Sequence, residues 1–262
     1  LPIPPSTVVT NAFLSISCCE AVQTAITRSE AKPVRRRTRR SRGVKRRGLR
    51  GGDCLFRDRQ NALIVPARNE ASSIPQWLPR VPAFVDQLVV VDNASMDGTG
   101  DVARAGGAEV VHVSRPGYGA ACAAGLEYVL RGESEVIVFM DADGSDDPAE
   151  MTRLLEPIVD EDVELVIGVR DGRDGMTRAQ QFGTRFVCGL LSRGFGRPVA
   201  DLGPFRTASR ALLDRLPLRD RGYGWTAEMQ AQALRANARI REVPVSWQPG
   251  ISPSVISGQW RG

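Results

Sequence analysis

The sequence from residue 60 to 262 predicts an α/β domain: a mostly parallel central sheet with helices on both faces. Short runs rich in Val and Ile recur at residues 62–66, 87–92, 109–113, 135–141 and 164–169, and helical spacing with start signals fills residues 96–105, 118–131 and 148–159 between them. Parallel strands need such crossover helices. The second observation is an apolar run, Val136-Ile137-Val138-Phe139-Met140, that stops abruptly in Asp141-Ala142-Asp143-Gly144-Ser145-Asp146-Asp147-Pro148. Sheets of this class hold their ligands where strands leave the core, so these carboxylates mark the candidate site.

Residues 1–59 differ in composition from everything that follows. They hold 14 Arg/Lys against 4 Asp/Glu, whereas the remaining residues hold 21 against 26. The block Arg35-Arg36-Arg37-Thr38-Arg39-Arg40-Ser41-Arg42-Gly43-Val44-Lys45-Arg46-Arg47 repels itself and cannot bury a core, so residues 1–59 are expected to form a disordered, Arg-rich extension. Such a block suits an anionic membrane surface or nucleic acid, or is simply a solvated tail. No aromatic residue interleaves it, which argues against single-stranded nucleic acid as the partner. The five cysteines are odd in number and show no C-x-x-C spacing, which indicates neither a disulfide framework nor a zinc site and fits a reducing compartment. No run reaches the ~18 apolar residues of a spanning helix. The expected location is cytoplasmic, soluble or peripheral at the inner face of the membrane.

The first strand exits into Pro66-Ala67-Arg68-Asn69-Glu70-Ala71-Ser72-Ser73, where Asn69, Ser72 and Ser73 suit an ordinary strand-to-helix turn. The second ends in Asp92-Asn93-Ala94-Ser95-Met96-Asp97-Gly98-Thr99. Asp92 could accept hydrogen bonds from a ribose or a base edge, and Asp97 favours the next helix start. The third carries His112, the only histidine, so His-based triads and metal sites are disfavoured. It feeds Gly117-Tyr118-Gly119-Ala120-Ala121-Cys122, a partial dinucleotide fingerprint with Asp141 as the acid on the next strand. Three features count against that role: Cys122 stands where Gly or Ala is expected, Ser114-Arg115-Pro116 separates strand from turn, and the loop follows the third strand. A turn before an Ala-rich, closely packed helix is the plainer reading.

If the fourth strand stays extended through Ala142, Asp141 and Asp143 point to one side and can approach one hard divalent cation. Asp146 and Asp147, just before Pro148, are expected to start the next helix. Arg170 follows the fifth strand and either reaches a phosphate or is solvated. Beyond it, helices are expected at residues 179–195, 209–215 and 226–236, and a strand at 239–247. Asp201, in Asp201-Leu202-Gly203-Pro204-Phe205-Arg206, and Glu228, in Gly222-Tyr223-Gly224-Trp225-Thr226-Ala227-Glu228-Met229, where polar groups stand beside aromatics and glycines, are candidate acceptor-side acids with Trp225 as a stacking or packing wall. Alternatively Thr226 caps a helix with Glu228 in its first turn. There is no internal repeat and no second domain boundary.

Taken in order, Val65-Pro66-Ala67-Arg68-Asn69-Glu70, the Asp92–Thr99 run, Met140-Asp141-Ala142-Asp143-Gly144, the Asp201 and Glu228 motifs and Glu242-Val243-Pro244-Val245 resemble a family 2 glycosyltransferase of the inverting GT-A fold. Within that family they are most similar to dolichol-phosphate or polyprenyl-phosphate sugar synthases. The resemblance covers residues 60–262 and implies a Rossmann-like nucleotide-diphospho-sugar transferase fold. It implies transfer from a UDP- or GDP-sugar to a polyprenyl phosphate or other glycan acceptor. By the same resemblance, Pro66, Ala67, Glu70, Asp92 and Ser95 line the nucleotide pocket. Asp141 and Asp143, with Ser145, hold Mg²⁺ or Mn²⁺ against the donor diphosphate as the D-x-D motif. Arg170 binds phosphate, and Asp143, Asp201 and Glu228 serve the chemistry, Glu228 as the acceptor-side acid.

A divalent ion neutralises the departing nucleotide without a proton donor. A hydroxyl acceptor would need a carboxylate base, whereas a lipid phosphate is already ionised. Residues 249–258 carry no basic residue where that branch usually does. Two other readings remain. One is a sugar-phosphate nucleotidyltransferase, although residues 67–73 lack the glycines of its first loop. The other is a polyanion-binding module acting through the Arg-rich segment.

Overall fold

The computed structural model describes residues 56–172 and 176–251. The expected extension therefore lies outside the described residues up to residue 55, as do residues 252–258 of the C-terminal run. Seven strands form one sheet: β1 (Asn61–Ala67), β2 (Gln87–Asn93), β3 (Glu109–Val113), β4 (Val136–Phe139), β5 (Leu165–Asp171), β6 (Arg206–Ser209) and β7 (Ile240–Ser246). The helices are α1 (Ile74–Trp77), α2 (Thr99–Ala105), α3 (Tyr118–Val129), α4 (Met151–Asp160), α5 (Arg178–Phe195), α6 (Arg210–Leu213) and α7 (Trp225–Arg235). The strand order is β3-β2-β1-β4-β6-β5-β7. β6 runs against its neighbours β4 and β5, and every other pairing is parallel.

Alternation along each strand divides the core between the two faces. Ala62, Ile64, Val89, Val91, Ile137 and Phe139 pack with Ala121, Cys122 and Leu126 of α3 and with Trp225 and Met229 of α7. Leu63, Val65, Val90, Val136, Val138 and Met140 pack with Ile74 and Trp77 of α1, Ala103 of α2 and Met151, Leu154 and Leu155 of α4. With helices on both sides a strand has no polar face, and β1 is buried at all of its 7 positions. The Ala-rich α3 approaches the sheet closely: a Cβ on Gly125 would lie 2.5 Å from Ile64 Cγ2.

Four expectations need correction. Sequence patterning gives no strand at residues 206–209, and the helix expected at 209–215 is the single turn α6. β6 is Arg-Thr-Ala-Ser with Arg206 and Thr207 buried, so no apolar run announces it. α2 begins at Thr99, because Gly98 takes φ +83° and Asp97 Oδ1 accepts from Thr99 N–H at 3.0 Å. β4 ends at Phe139, so the chain is not extended through Ala142.

The order of the strands places the site. β2 and β3 lie on one side of β1 and β4 lies on the other. Strand order therefore reverses at β1, and the C-terminal ends of β1 and β4 border a crevice.

Candidate active site

An open cleft occupies that crevice. Pro66 and Ala67 end β1 in it and Arg68 and Glu70 follow, Asn93 ends β2 there, and Gly117 and Tyr118 open α3 beside it. Asp141, Ala142 and Asp143 enter from β4, and Tyr223 comes from the segment before α7. Of the residues expected at a nucleotide-sugar site, the cleft gathers Pro66, Ala67, Glu70, Asp141 and Asp143. Asp92, Ser95, Ser145, Arg170, Asp201 and Glu228 do not line it.

The loop after β1 is fastened to the loop after β2. Asn69 has φ +58°, a left-handed conformation that Asn tolerates. Its N–H donates to Ser95 Oγ at 3.0 Å, and its Oδ1 accepts from Met96 N–H at 2.9 Å. Glu70 N–H donates to Thr99 Oγ1 at 2.8 Å and Ala71 N–H to Asp97 Oδ2 at 3.0 Å. Burial alone would raise Asp97, but hydrogen bonds from Thr99 and Ala71 hold its carboxyl below the usual range. Asp92 is similarly engaged, accepting from Ser95 N–H at 3.0 Å and facing His112 Nδ1 at 3.1 Å. Asp92 and Ser95 thus brace the pocket loop from behind.

The acid loop after β4 is pinned from outside. Trp77 of α1, 2% exposed, donates Nε1–H to the Ala142 carbonyl at 2.9 Å. The segment after β7 crosses it as well. Gln248 N–H donates to Ser145 O at 3.1 Å, and Ile251 N–H donates to Asp143 O at 2.8 Å. Gly250 lies so close that a Cβ would stand 2.4 Å from Asp143 Oδ2. Within the loop Gly144 takes φ +77°, and Ser145 N–H donates to Asp143 Oδ1 at 2.9 Å. A bent loop, not an extended strand, therefore brings the two acids to the cleft.

Asp141 Oδ1 is buried without a partner, although Tyr118 supplies a side-chain hydrogen bond to the carboxyl. Burial, with Asp143 as the next cause, raises Asp141 to about 7. Asp147 caps the following turn, accepting from Ala149 N–H at 3.0 Å, as expected of a helix-start residue. Asp146 does not. It pairs with Trp247 in an isolated bridge and is 2% exposed, and burial followed by the charges of Asp141 and Asp143 pushes its carboxyl well up.

The glycine turn before α3 is already satisfied. Gly119 N–H donates to Gly222 O and Ala120 N–H to Arg221 O, both at 2.9 Å. A Cβ on Gly117 would stand 2.5 Å from Arg221 O, and one on Gly119 2.6 Å from Asp220 O. These glycines admit a neighbouring backbone, and that excludes the dinucleotide reading, in which the same N–H groups would face a pyrophosphate. The contact carries Tyr223 into the cleft, its ring stacked on Tyr118 with centroids 6.4 Å apart.

The remaining candidate acids hold structure in place. Glu228 Oε2 accepts from Arg219 N–H at 2.9 Å and Asp220 N–H at 2.8 Å. Asp201, fully buried, grips Arg170 through Nε at 2.8 Å and Nη2 at 2.7 Å, and also accepts from Arg170 N–H and Leu202 N–H. Burial alone would raise Asp201, but Arg170 holds it below the ordinary carboxylate value. Trp225 is 1% exposed and meets Phe139 edge-on, so it is core packing and not a stacking wall. The N-cap of α7 is Gly224 rather than Thr226.

Arg68, Asn93, Tyr118 and Tyr223 complete the cleft without having been singled out. Arg68 stands inside the first motif and Tyr118 inside the glycine turn, so both were in view. Tyr223 stands in the Gly222–Met229 run, and its place in the cleft depends on a contact with residues about a hundred positions earlier. For a cation, the donor set fits in part. Glu70, Asp141 and Asp143 bring three carboxylates to the cleft and Asp141 Oδ1 has no partner, yet among the described residues no group of three or more His, Cys, Asp or Glu is arranged to hold a metal ion. Mg²⁺ commonly sits on one or two carboxylates and takes substrate phosphate oxygens for the rest.

Comparison with known proteins agrees with this geometry. Residues 62–222 match Glycosyl transferase family 2. An uncharacterized glycosyltransferase of Mycobacterium tuberculosis is 36% identical over 203 residues, covering 76% of this chain and 91% of its own. Undecaprenyl-phosphate mannosyltransferase of Micrococcus luteus is 34% identical, covering 74% and 86%. Polyprenol monophosphomannose synthase of Mycolicibacterium smegmatis is 31% identical, covering 82% and 88%. Among solved structures, glucosyl-3-phosphoglycerate synthase from Mycobacterium tuberculosis in complex with Mn²⁺ and UDP-glucose superposes with a TM-score of 0.62 at 26% identity over 81% of each chain. With its GT-A type α/β fold, the chain belongs to glycosyltransferase family 2 and is a glycosyltransferase that uses a nucleotide-sugar donor.

Proposed function

We propose that the chain is a metal-dependent, inverting transferase that moves a sugar from a UDP- or GDP-sugar to a polyprenyl phosphate, or to another glycan acceptor. The carrying observation is Asp141 and Asp143 together in the cleft, with Asp141 Oδ1 buried and unpartnered. Mg²⁺ or Mn²⁺ held there, with Ser145 behind Asp143, would neutralise charge developing on the leaving diphosphate. Arg68 lines the same cleft with its Nε buried and unpartnered, and offers a second positive group to the diphosphate. Pro66, Ala67 and Glu70 shape the nucleotide pocket, and Asp92 and Ser95 brace it. Arg170, fixed by Asp201, lends its charge to Asp141 and Asp146 at longer range.

The state of the other acids supports a phosphate acceptor. A hydroxyl acceptor needs a carboxylate free to take its proton, whereas Glu228 and Asp201 already accept hydrogen bonds from backbone and Arg170. A phosphate arrives ionised. The names of the Micrococcus and Mycolicibacterium relatives favour the same acceptor class. Residues 60–262 form the catalytic unit in this reading, and the Arg-rich residues 1–59 make peripheral contact with an anionic membrane, with nucleic acid disfavoured as partner. Among the described residues no helix is long and apolar enough to cross a membrane.

Isothermal titration of the full chain with UDP and GDP tests the reading. The expected result is nucleotide binding that requires Mn²⁺ and disappears in Asp143→Ala, and binding indifferent to metal would overturn it. A donor-hydrolysis screen across nucleotide sugars then names the base and the sugar.

A further inference from the structure

Helix α5 presents an outward face that sugar transfer does not use. Its inner side packs Val187, Cys188 and Leu191 against Ala227, Ala231 and Leu234 of α7. On the outer side Phe182 is 72% exposed and Phe186 46% exposed, their rings stacked with centroids 6.3 Å apart. Large aromatic rings standing together in water are unusual on a soluble surface and mark a contact. The spacing of 3.6 residues per turn puts Arg178, Phe182, Arg185, Phe186, Gly189 and Arg193 within one arc of about 100°. All six are exposed, and a Cβ on Gly189 would meet nothing within 4 Å. From Arg178 to Arg193 the stripe runs ~22 Å along the helix.

Charge decides what covers it. The α5 sequence, RAQQFGTRFVCGLLSRGF, has three Arg and no Asp or Glu, although residues 60–262 as a whole carry more acids than bases. The Arg-rich residues 1–59 would be repelled by this stripe, and so would the same stripe of a second copy. The occupant must be anionic and must also receive two phenyl rings on an exposed helix face. A bilayer interface with anionic headgroups meets both demands, because rings enter the acyl boundary while guanidinium groups stay at the phosphates.

We propose that α5 is a membrane-docking helix, laid in the plane of an anionic bilayer with Phe182 and Phe186 inserted and Arg178, Arg185 and Arg193 on the headgroups. It does not depend on sugar transfer, and nucleotide binding can fail without touching it.

Co-sedimentation of the full chain with phosphatidylcholine vesicles containing phosphatidylglycerol tests the proposal. Residues 1–59 contribute equally to every variant, so differences report α5. Phe182→Ser/Phe186→Ser should lower partitioning about tenfold or more, with Mn²⁺-dependent UDP binding retained as the check on folding. Phe182→Trp should partition like the wild type and add tryptophan emission that brominated phosphatidylcholine quenches. Unchanged partitioning of the double variant overturns the proposal, as does unquenched added emission from vesicle-bound Phe182→Trp. A wild-type self-association that the double variant abolishes while vesicle binding stays the same would assign the face to a second copy and also overturn it.

Discussion

Two turns meet at the same cleft, and they differ in what their polar groups already hold. The turn before α3 has glycines, a helix start and free-looking N–H groups, yet Gly119 and Ala120 donate to the carbonyls of Gly222 and Arg221. The turn after β4 holds its backbone just as firmly, through Trp77, Gln248 and Ile251, but leaves Asp141 Oδ1 without a partner. A buried polar atom costs free energy unless something bonds to it, so the unsatisfied acid points to a ligand and the satisfied helix start does not. The same test separates Asp141 from Asp201 and Glu228.

The largest expected effect strikes the acid pair in the cleft, the unsatisfied Asp141 and its neighbour Asp143. Asp143→Ala should lower sugar transfer by about a thousandfold, from loss of transition-state charge neutralisation, while thermal unfolding barely moves; a variant retaining wild-type rates would break the comparison. Asp201→Asn should do the opposite, costing ~3–5 kcal/mol in urea unfolding because it strands a buried guanidinium. The sign with pH follows from the depressed carboxyl. Stability from this pair is present above the unfolded value of ~3.9 and is lost as pH falls through the lower folded value, so the wild type should lose stability below about pH 4 more steeply than Asp201→Asn.

Gly119→Ala should cost ~1–3 kcal/mol by overpacking against the carbonyls of Asp220 and Gly222. UDP affinity at saturating Mn²⁺ should change only a few-fold, and abolished nucleotide binding in a folded variant would return the glycines to a phosphate role. The smallest effect tests the hydrogen bond from Tyr118 to Asp141 across the two turns. Tyr118→Phe removes the side-chain bond that favours ionised Asp141, so Mn²⁺ affinity measured with UDP should fall about three- to tenfold. In the wild type that affinity should rise with pH through about 7, because Asp141 keeps its proton below that value and a proton competes with the cation. In Tyr118→Phe the rise should move to higher pH.

Much of this was legible in the chain itself. The recurrence of Val- and Ile-rich runs with helical spacing between them points to mostly parallel strands covered on both faces, because crossover helices bury both sides of such strands. Asp141 and Asp143 at the end of β4 and Pro66–Glu70 at the end of β1 follow from the same pattern, and their cleft is the point where strand order reverses. β6 was not legible, because Arg206 and Thr207 are buried polar residues in a strand of four.

What only tertiary structure decided is the partner of each polar group. Arg170 meets Asp201 across 31 positions, Trp77 meets Ala142 across 65, and Gly119 meets Gly222 across 103. Hydrogen bonds and ion pairs act over a few ångströms, and residues far apart in sequence reach that range only when strands from both ends of the chain lie side by side. The order of residue types determined which groups could bind or react, and the packed sheet determined which of them were left free to do so.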